Sequence, residues 1–416
     1  MSGGWGPTRD GAFERRIFRL DSSIRPYAWG STTAIPELLG QVPTGEPAAE
    51  LWLGAHPDEP SRWREHPDRT GLDELIAADP VGLLGRETSE RFGGRLPFML
   101  KLLAADKALS IQVHPTIDQA RKGFADEEAR GVPRDSPERN YRDDNHKPEL
   151  LCALTDFQAF SGFRPVASTV ELFGELIDAG ADLLRPHRAL LTTSDGLRSV
   201  FSSLLTLTEL NRAALVAQVQ QAASRVSAAG GEWAQVAGAA MVAGSDFPGD
   251  IGAVLAMLLN HVRLRPGESI FLGAGNVHAY LRGFGVEILA SSDNVLRCGL
   301  TPKHIDVAEL MQVADFRPLL QPRSRVQVIS DSVTSYPVPV ADFLLMRVEP
   351  ARASVDLAAG QPHLLIATAG EVQVVDGSGP RVVAQGDAVF IAAGPTPVQV
   401  GGPGIAHVAT VNAVTG

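Results

Sequence analysis

The chain has only two cysteines, Cys152 and Cys298, in 416 residues, too few for a disulfide framework or a thiolate-bound metal. It has no apolar run near the ~20 residues that cross a bilayer. Positive charge is in short supply: 37 Lys and Arg stand against 48 Asp and Glu, a formal net charge of −11. With no basic stripe to neutralise phosphates, nucleic acid is excluded as a general partner. Met1–Arg16 is glycine-rich and charged and lacks the apolar segment of a secretory signal. These absences predict a soluble cytoplasmic protein with neither membrane nor nucleic acid as partner.

What is present suffices for a large core. At this length, 44% hydrophobic residues predict two or three domains, and 29 prolines with 41 glycines suit a β-rich fold with many turns. Residues from about Phe18 to Pro165 read as short strands and turns. Within them the very polar segment Arg121–His146 reads as an ordered rim. At Ser168 the period changes: Ser168 and Glu171 make a capping-box pattern, and Val170, Phe173, Leu176 and Ile177 follow at helical spacing. That spacing recurs at Val200, Phe201, Leu204 and Leu205, at Leu215 and Val219, and at Val254, Leu255, Leu258 and Leu259. A helical block over residues 168–260 is therefore inserted between two β-rich parts, and its alanine-rich stripes are read as core. β character resumes at Val262. Beyond about Val326, glycine-rich turns divide alternating segments at Phe343–Val348, His363–Thr368, Val372–Val375, Arg381–Ala384 and Ala388–Ala393, a second β-barrel or sandwich. Its histidines, His363 and His407, have no carboxylate cluster beside them, so it is read as free of metal.

The segment Leu109-Ser110-Ile111-Gln112-Val113-His114-Pro115 alternates as a half-buried strand does. Period 2 turns Leu109, Ile111 and Val113 to one face and Ser110, Gln112 and His114 to the other. Such a polar row needs a metal, a ligand or water to satisfy it. Further on come Asn145-His146-Lys147-Pro148-Glu149-Leu150-Leu151, then the glycine-rich turn Gly273-Ala274-Gly275-Asn276-Val277-His278-Ala279-Tyr280, then Ser291–Lys303 with Asn294-Val295-Leu296-Arg297 inside it. Near the start stand Tyr27-Ala28-Trp29-Gly30 and Glu50-Leu51-Trp52-Leu53-Gly54-Ala55-His56-Pro57.

In this order, these segments resemble the type I mannose-6-phosphate isomerases, zinc enzymes built on the cupin barrel. The resemblance runs from about Arg25 to Asp306, with a weaker continuation beyond. It implies a mainly β fold with two cupin-type β-barrel (jelly-roll) domains plus an α-helical block. Residues 17–167 and 261–325 would form a discontinuous catalytic domain, 168–260 the helical insertion and 326–416 a C-terminal cupin-like domain. The resemblance also implies one zinc ion per chain, held by Gln112, His114, Glu149 and His278. Two imidazoles and two oxygens suit a borderline divalent ion. One carboxylate leaves the centre about +1, still able to polarise oxygen. For His66, His187, His261, His146 and His304 a structural hydrogen-bonding role is the expectation.

By the same resemblance the chain interconverts mannose 6-phosphate and fructose 6-phosphate through a cis-enediol. Such a site must hold a phosphate, stabilise an oxyanion and supply an acid/base. Arg297 matches the family's catalytic arginine, and its planar fork suits a dianion or an enediolate. Lys303, Lys147 and Glu287 follow as catalytic candidates, with Ser110, Tyr280, Asp293, Trp29 and Glu50 as substrate-binding ones. One departure is Gly273 where many members carry proline, which predicts a more flexible turn before His278. Cys298, beside Arg297, is read as a small buried side chain rather than a reactive thiol. The partner expected is a small phosphosugar, the state a monomer. Two other classes remain: a cupin oxygenase, disfavoured because Gln112 would fill a position that a facial triad leaves open, and a non-catalytic sugar-phosphate-binding cupin, which has no need of Arg297.

Overall fold

The computed structural model describes residues 16–413. Nearly all of Met1–Arg16, where no secretory signal is expected, lies outside the described residues. No helix among the described residues is long and apolar enough to cross a membrane.

The strand His278–Ala290 organises the central part of the chain. Its first residues pair with Ile111–Val113 and Phe157–Phe163, and from Gly283 onward it pairs with Phe98–Ala105. From Gly285 it also pairs with Glu149–Ala153 on its other edge. The register shifts between Tyr280 and Arg282. Gly283 follows at φ +129°, where a Cβ would come within 2.7 Å of the Asp156 carbonyl oxygen. Glycine lets the strand bend there and serve two walls of one sheet system. Glu50–Leu53 extends the wall beyond Phe98–Ala105, and Leu296–Gly299 lies outside Ile111–Val113.

Alternation sorts the faces. Ile111, Val113, Val277, Ala279 and Leu296 turn outward into a core shared with Leu172, Phe173, Phe201 and Leu204 of the helical block. The polar residues of the same strands are left facing inward. The three-residue strand Ile111–Val113 is shorter than the alternation predicts. Leu109 does not share its apolar face: it packs beside Tyr280 and Leu151, its N–H bonded to the Tyr280 carbonyl at 2.8 Å.

Helices fill most of the stretch where the periodicity places them, from Val166–Asp178 through Arg185–Leu191, Gly196–Leu205, Glu209–Ala229 and Ala234–Asp246 to Gly252–Leu255. The block ends sooner than the spacing predicts: Leu258 lies in a single tighter turn and Leu259 already opens the strand Leu259–Leu264. The Ser168/Glu171 capping box does not form. The helix starts directly after Pro165 with no side-chain cap, and Ser168 lies within its first turn. Proline's fixed φ sets the start instead, and the Thr169 hydroxyl donates back to the Pro165 carbonyl at 3.2 Å. The N-terminal part is not strands and turns alone. It also carries the helices Ala34–Leu38, Leu72–Ala78, Pro80–Leu84, Arg86–Arg91 and Ile117–Ala129. The first four are too short to show a 3.6-residue period. Ile117–Ala129 buries only Ala120 and Glu127 and so has no apolar stripe to read.

Towards the C-terminus an eight-stranded sheet runs in the order Gln327–Ser330, Val333–Tyr336, Leu344–Val348, Ile405–Thr410, His363–Ala369, Ala388–Ile391, Ile17–Asp21, Arg62–Trp63. A four-stranded sheet of Val355–Leu357, Val398–Gly401, Glu371–Asp376 and Gly379–Ala384 packs on it through Leu365, Val389, Val374 and Val400. Ile17–Asp21, grouped by sequence with the first unit, pairs instead with Ala388–Ile391. Phe18, Leu20, Phe98, Ile288, Phe343, Ile366 and Phe390 share a single apolar cluster that joins the two sheet systems.

Candidate metal centre and the pocket around it

His114 follows Ile111–Val113, Glu149 opens Glu149–Ala153, and His278 opens His278–Ala290. Three strand ends thus bring their first or last polar side chain to one buried point. One ligand atom from each lies within 4.8 Å of the others, and all three residues are buried. The carboxylate sits between the rings, with Oε1 3.4 Å from His114 Nε2 and Oε2 3.4 Å from His278 Nε2.

The outer nitrogens fix the tautomers. His114 Nδ1 donates to the Asn294 carbonyl at 2.7 Å and His278 Nδ1 to the Asn276 carbonyl at 2.8 Å. Carbonyls only accept, so in each neutral ring Nε2 keeps its lone pair. Neither Nε2 nor Glu149 Oε2 has a hydrogen-bond partner. Burial pushes His114 down to about 4 despite Glu149, so its ring is neutral at pH 7. Burial opposes ionisation of Glu149, but His114 and the Lys147 ammonium at 3.4 Å outweigh it and hold the carboxyl well below its usual range. Two imidazole nitrogens and a carboxylate oxygen, buried, facing one point and without hydrogen-bond partners, fit a divalent cation.

Gln112 is aligned with His278 on one side and with Arg297 on the other, so the three share a sheet face. The turn that delivers His278 is pinned rather than flexible. Gly275, at φ +76°, donates to the His114 carbonyl at 2.9 Å and accepts from the Asp315 amide at 2.9 Å. Gly273 is not at positive φ.

A second cluster, His56, Asp58 and Asp293, is also close enough to chelate, but its imidazole is already engaged. His56 Nδ1 accepts from the Asp58 amide at 3.3 Å and Nε2 faces Asp293 Oδ2 at 3.3 Å. Burial opposes ionisation of Asp293, yet His56, Lys147 and Lys101 bring its carboxyl below the ordinary value.

Beside the metal donors runs a buried charged row. Glu287 is aligned with Lys101, and Lys101 with Trp52. Lys101 Nζ lies 3.6 Å from both Glu50 Oε2 and Glu287 Oε2. Tyr280 donates to Glu287 Oε1 at 2.7 Å and Trp52 Nε1 to Glu50 Oε2 at 2.6 Å. Burial works against the Lys101 charge, but Glu50 and Glu287 override it and raise its pKa. Burial and the nearby Glu149 push Glu287 up to about 7. The sequence reading missed Lys101. Its signal was a lysine inside the run Phe98-Met99-Leu100-Lys101-Leu102-Leu103-Ala104-Ala105, every residue of which is buried.

Residues 17–166 match the family described as phosphomannose isomerase type I, catalytic domain. The mannose-6-phosphate isomerase of Escherichia coli is 38% identical over 389 residues, covering 93% of this chain and 97% of that one. The chain belongs to the type I phosphomannose isomerases. The rat mannose-6-phosphate isomerase is 34% identical, covering 80% of this chain and 82% of its own. Among solved structures, a zinc-bound mannose 6-phosphate isomerase superposes with a TM-score of 0.87 at 36% identity, covering 96% of this chain and all of that one. A mutant phosphomannose isomerase from Salmonella typhimurium gives 0.88 at 35% identity, with the same coverage.

The remaining phosphomannose isomerase positions can now be placed. Trp29 packs with the cluster containing Tyr280 and stacks on Tyr27 at 5.7 Å. Ser110 is half-buried at the start of Ile111–Val113. Lys303 lines a cavity of about 450 Å³ with Thr301, Asp250 and, from the helical block, Arg212. Cys298 is fully buried, and burial pushes its thiol far up, which fits a packing role. His66, His187 and His261 bond to Thr70, Ser203 and Gln158, and His146 pairs with Asp342.

Proposed function

We propose that this chain is a zinc-dependent isomerase that interconverts D-mannose 6-phosphate and D-fructose 6-phosphate, moving a proton between C2 and C1 through a cis-enediol. The observation that carries this reading is the meeting of three buried, orphaned donor atoms with the charged row Lys101/Glu50/Glu287 and with Arg297, aligned with Gln112. Zinc-bound relatives of the same fold support the choice of metal.

His114, Glu149 and His278, with Gln112 aligned beside His278, would hold the zinc. When bound, the metal supplies a Lewis-acid charge that stabilises negative oxygen. The protein's own groups do the rest. Glu287 holds or gives up a proton near neutral pH, as a general acid/base needs to. Lys101, kept as an ammonium by two carboxylates, stabilises developing negative charge and is itself a poor base. Tyr280 fixes the Glu287 carboxylate, and Trp52 fixes Glu50. Arg297 supplies a permanent charge on the opposite side of Gln112. Every one of these groups comes from one chain, so the reading needs no second subunit.

The test is a coupled assay of mannose 6-phosphate conversion beside elemental analysis of the same sample. We expect turnover with one zinc per chain, loss on chelation and recovery on adding zinc. Full turnover by metal-stripped protein would sink the metal reading.

A further inference from the structure

The helical block has no part in the mechanism above, yet the linker between its helices Ala234–Asp246 and Gly252–Leu255 reaches three of the strands that build the pocket. Just before the linker, Asp246 forks onto Arg282 with contacts of 2.8 and 3.1 Å and also accepts from the Ala108 amide at 2.8 Å. Arg282 lies where His278–Ala290 shifts register, and Ala108 stands at the entry to Ile111–Val113. Near the linker's end, Asp250 Oδ1 accepts from the amides of Gly252 and Leu300 at 2.7 and 2.8 Å, and Oδ2 from that of Thr301 at 3.3 Å. Lys303 and Arg212 line a cavity with Asp250 but make no ion pair with it among the described residues. Gly252 and Gly299 pack backbone to backbone: a Cβ on Gly299 would come within 2.7 Å of the Gly252 Cα.

Leu300 needs such a holder. It is fully buried and sits at φ +53°, a left-handed conformation that persists for a leucine only where its surroundings impose it. Just before it the ladder with Ile111–Val113 is broken. Arg297 is aligned with Gln112 and Gly299 with Ile111, which leaves Cys298 as an extra residue. A bulge of this kind re-aims the side chains beside it. The Arg297 guanidinium is not held from its own end, since among the described residues its side chain has no hydrogen bond or ion pair. Its direction is therefore set by the backbone that carries it, and Asp250 fixes that backbone just beyond the bulge.

We propose that Asp250 is a positioning residue for Arg297. It pins the Leu300 and Thr301 amides, holds the left-handed turn after the bulge, and so aims the guanidinium from the helical block along the face that Gln112 and His278 share. The clamp rests on the geometry alone, and its kinetic weight rests on the catalytic role of Arg297 in the isomerase reading above. Electrostatic stabilisation requires charge set in place before it is needed, and a misplacement of about 1 Å can cost about 10²-fold in rate.

The experiment uses zinc-loaded full-length protein. Steady-state kinetics with mannose 6-phosphate are run on wild type, Asp250→Asn, Asp250→Ala, Arg297→Ala and the Asp250→Ala/Arg297→Ala double variant, below every melting transition. Where Asp250→Ala does not fold, Asp250→Asn takes its place in the cycle. Backbone hydrogen exchange is followed over residues 296–303 in wild type and Asp250→Asn. The expected result is that Asp250→Ala lowers kcat about 10- to 100-fold, with KM within about threefold and zinc content normal. Asp250→Asn, which keeps one accepting oxygen, falls between. Its exchange rises over 296–303 while the strands bearing His114 and His278 keep their protection. In the Arg297→Ala background, Asp250→Ala lowers kcat by less than about twofold further, because it acts through a side chain already removed. The same factor in both backgrounds would mean general loosening and overturns the proposal. So does an unchanged kcat in Asp250→Ala, or unchanged exchange in Asp250→Asn. If Arg297→Ala turns over normally, the positioning role falls with it. If the wild type does not isomerise, the function reading falls and the exchange alone decides the clamp.

Discussion

Lys101 shows how much can depend on one side chain. A buried ammonium between two carboxylates persists only because each charge compensates the others. Lys101→Met is expected to lower kcat by about 10²–10³ while zinc content stays normal, because the lysine is not a metal donor. Arg297→Ala should also lower kcat by about 10²–10³, or roughly 3–4 kcal/mol of transition-state stabilisation, with a smaller change in KM. Near-normal kcat with a large KM increase would make Arg297 a binding residue instead. His278→Ala should remove both metal and activity, whereas His407→Gln in the C-terminal sheet should keep the metal. Elemental analysis of the two variants separates the sites. Glu149, His114 and His278 were legible from their motifs. Lys101 was not, because a strand reading of an apolar run takes its one charge for an edge feature until the neighbouring strands are known to bury it.

Segments rather than single residues build the rim. The stretch from Ile117 to His146 is a helix followed by a loop tied down by Arg139, Tyr141, Asp143 and Asn294. Its polarity concealed the helix, since Ile117–Ala129 buries almost no apolar surface. Asn294 is the knot: it holds Arg142, Asp143 and Asn145, and its carbonyl orients His114. Asn294→Ala would leave several buried amide and carbonyl groups unpaired, a cost of about 2–4 kcal/mol. We expect a lower melting temperature, faster proteolysis between residues 130 and 146, and a raised KM. Unchanged proteolysis would mean the rim is held by other contacts.

For the molecule as a whole, acid stability follows from its buried histidines. Burial pushes His363 down to about 4 and, with Arg347 nearby, His407 down to about 3. The unfolded chain takes up those protons below about pH 6.5, and the folded protein does not until far lower. Stability is therefore lost as pH falls from about 7 toward 4, by about 2 kcal/mol per histidine at pH 5. Thermal melts from pH 7 to 5 should show the decline, and His407→Gln should flatten it. A pH-independent melting temperature for wild type over that range would contradict the burial argument. His407 also reaches across from the C-terminal sheet to Cys152, 3.8 Å from its Sγ, in the strand that Glu149 opens, so the two sheet systems share this sensitivity.

The sequence alone determined the helical stretch, the β-rich parts on either side and the segments from which His114, Glu149 and His278 converge. Those signals are local: a 3.6-residue period, an alternating strand, a histidine after a glycine turn. It also set the global charge. It could not show that Ile17–Asp21 joins the C-terminal sheet, that His278–Ala290 bends at Gly283 to serve two walls, that Lys101 lies between Glu50 and Glu287, or that His56 faces Asp293. Those facts depend on which strands become neighbours across tens to hundreds of residues. Only the packed chain decides which polar groups lose their water and which find partners.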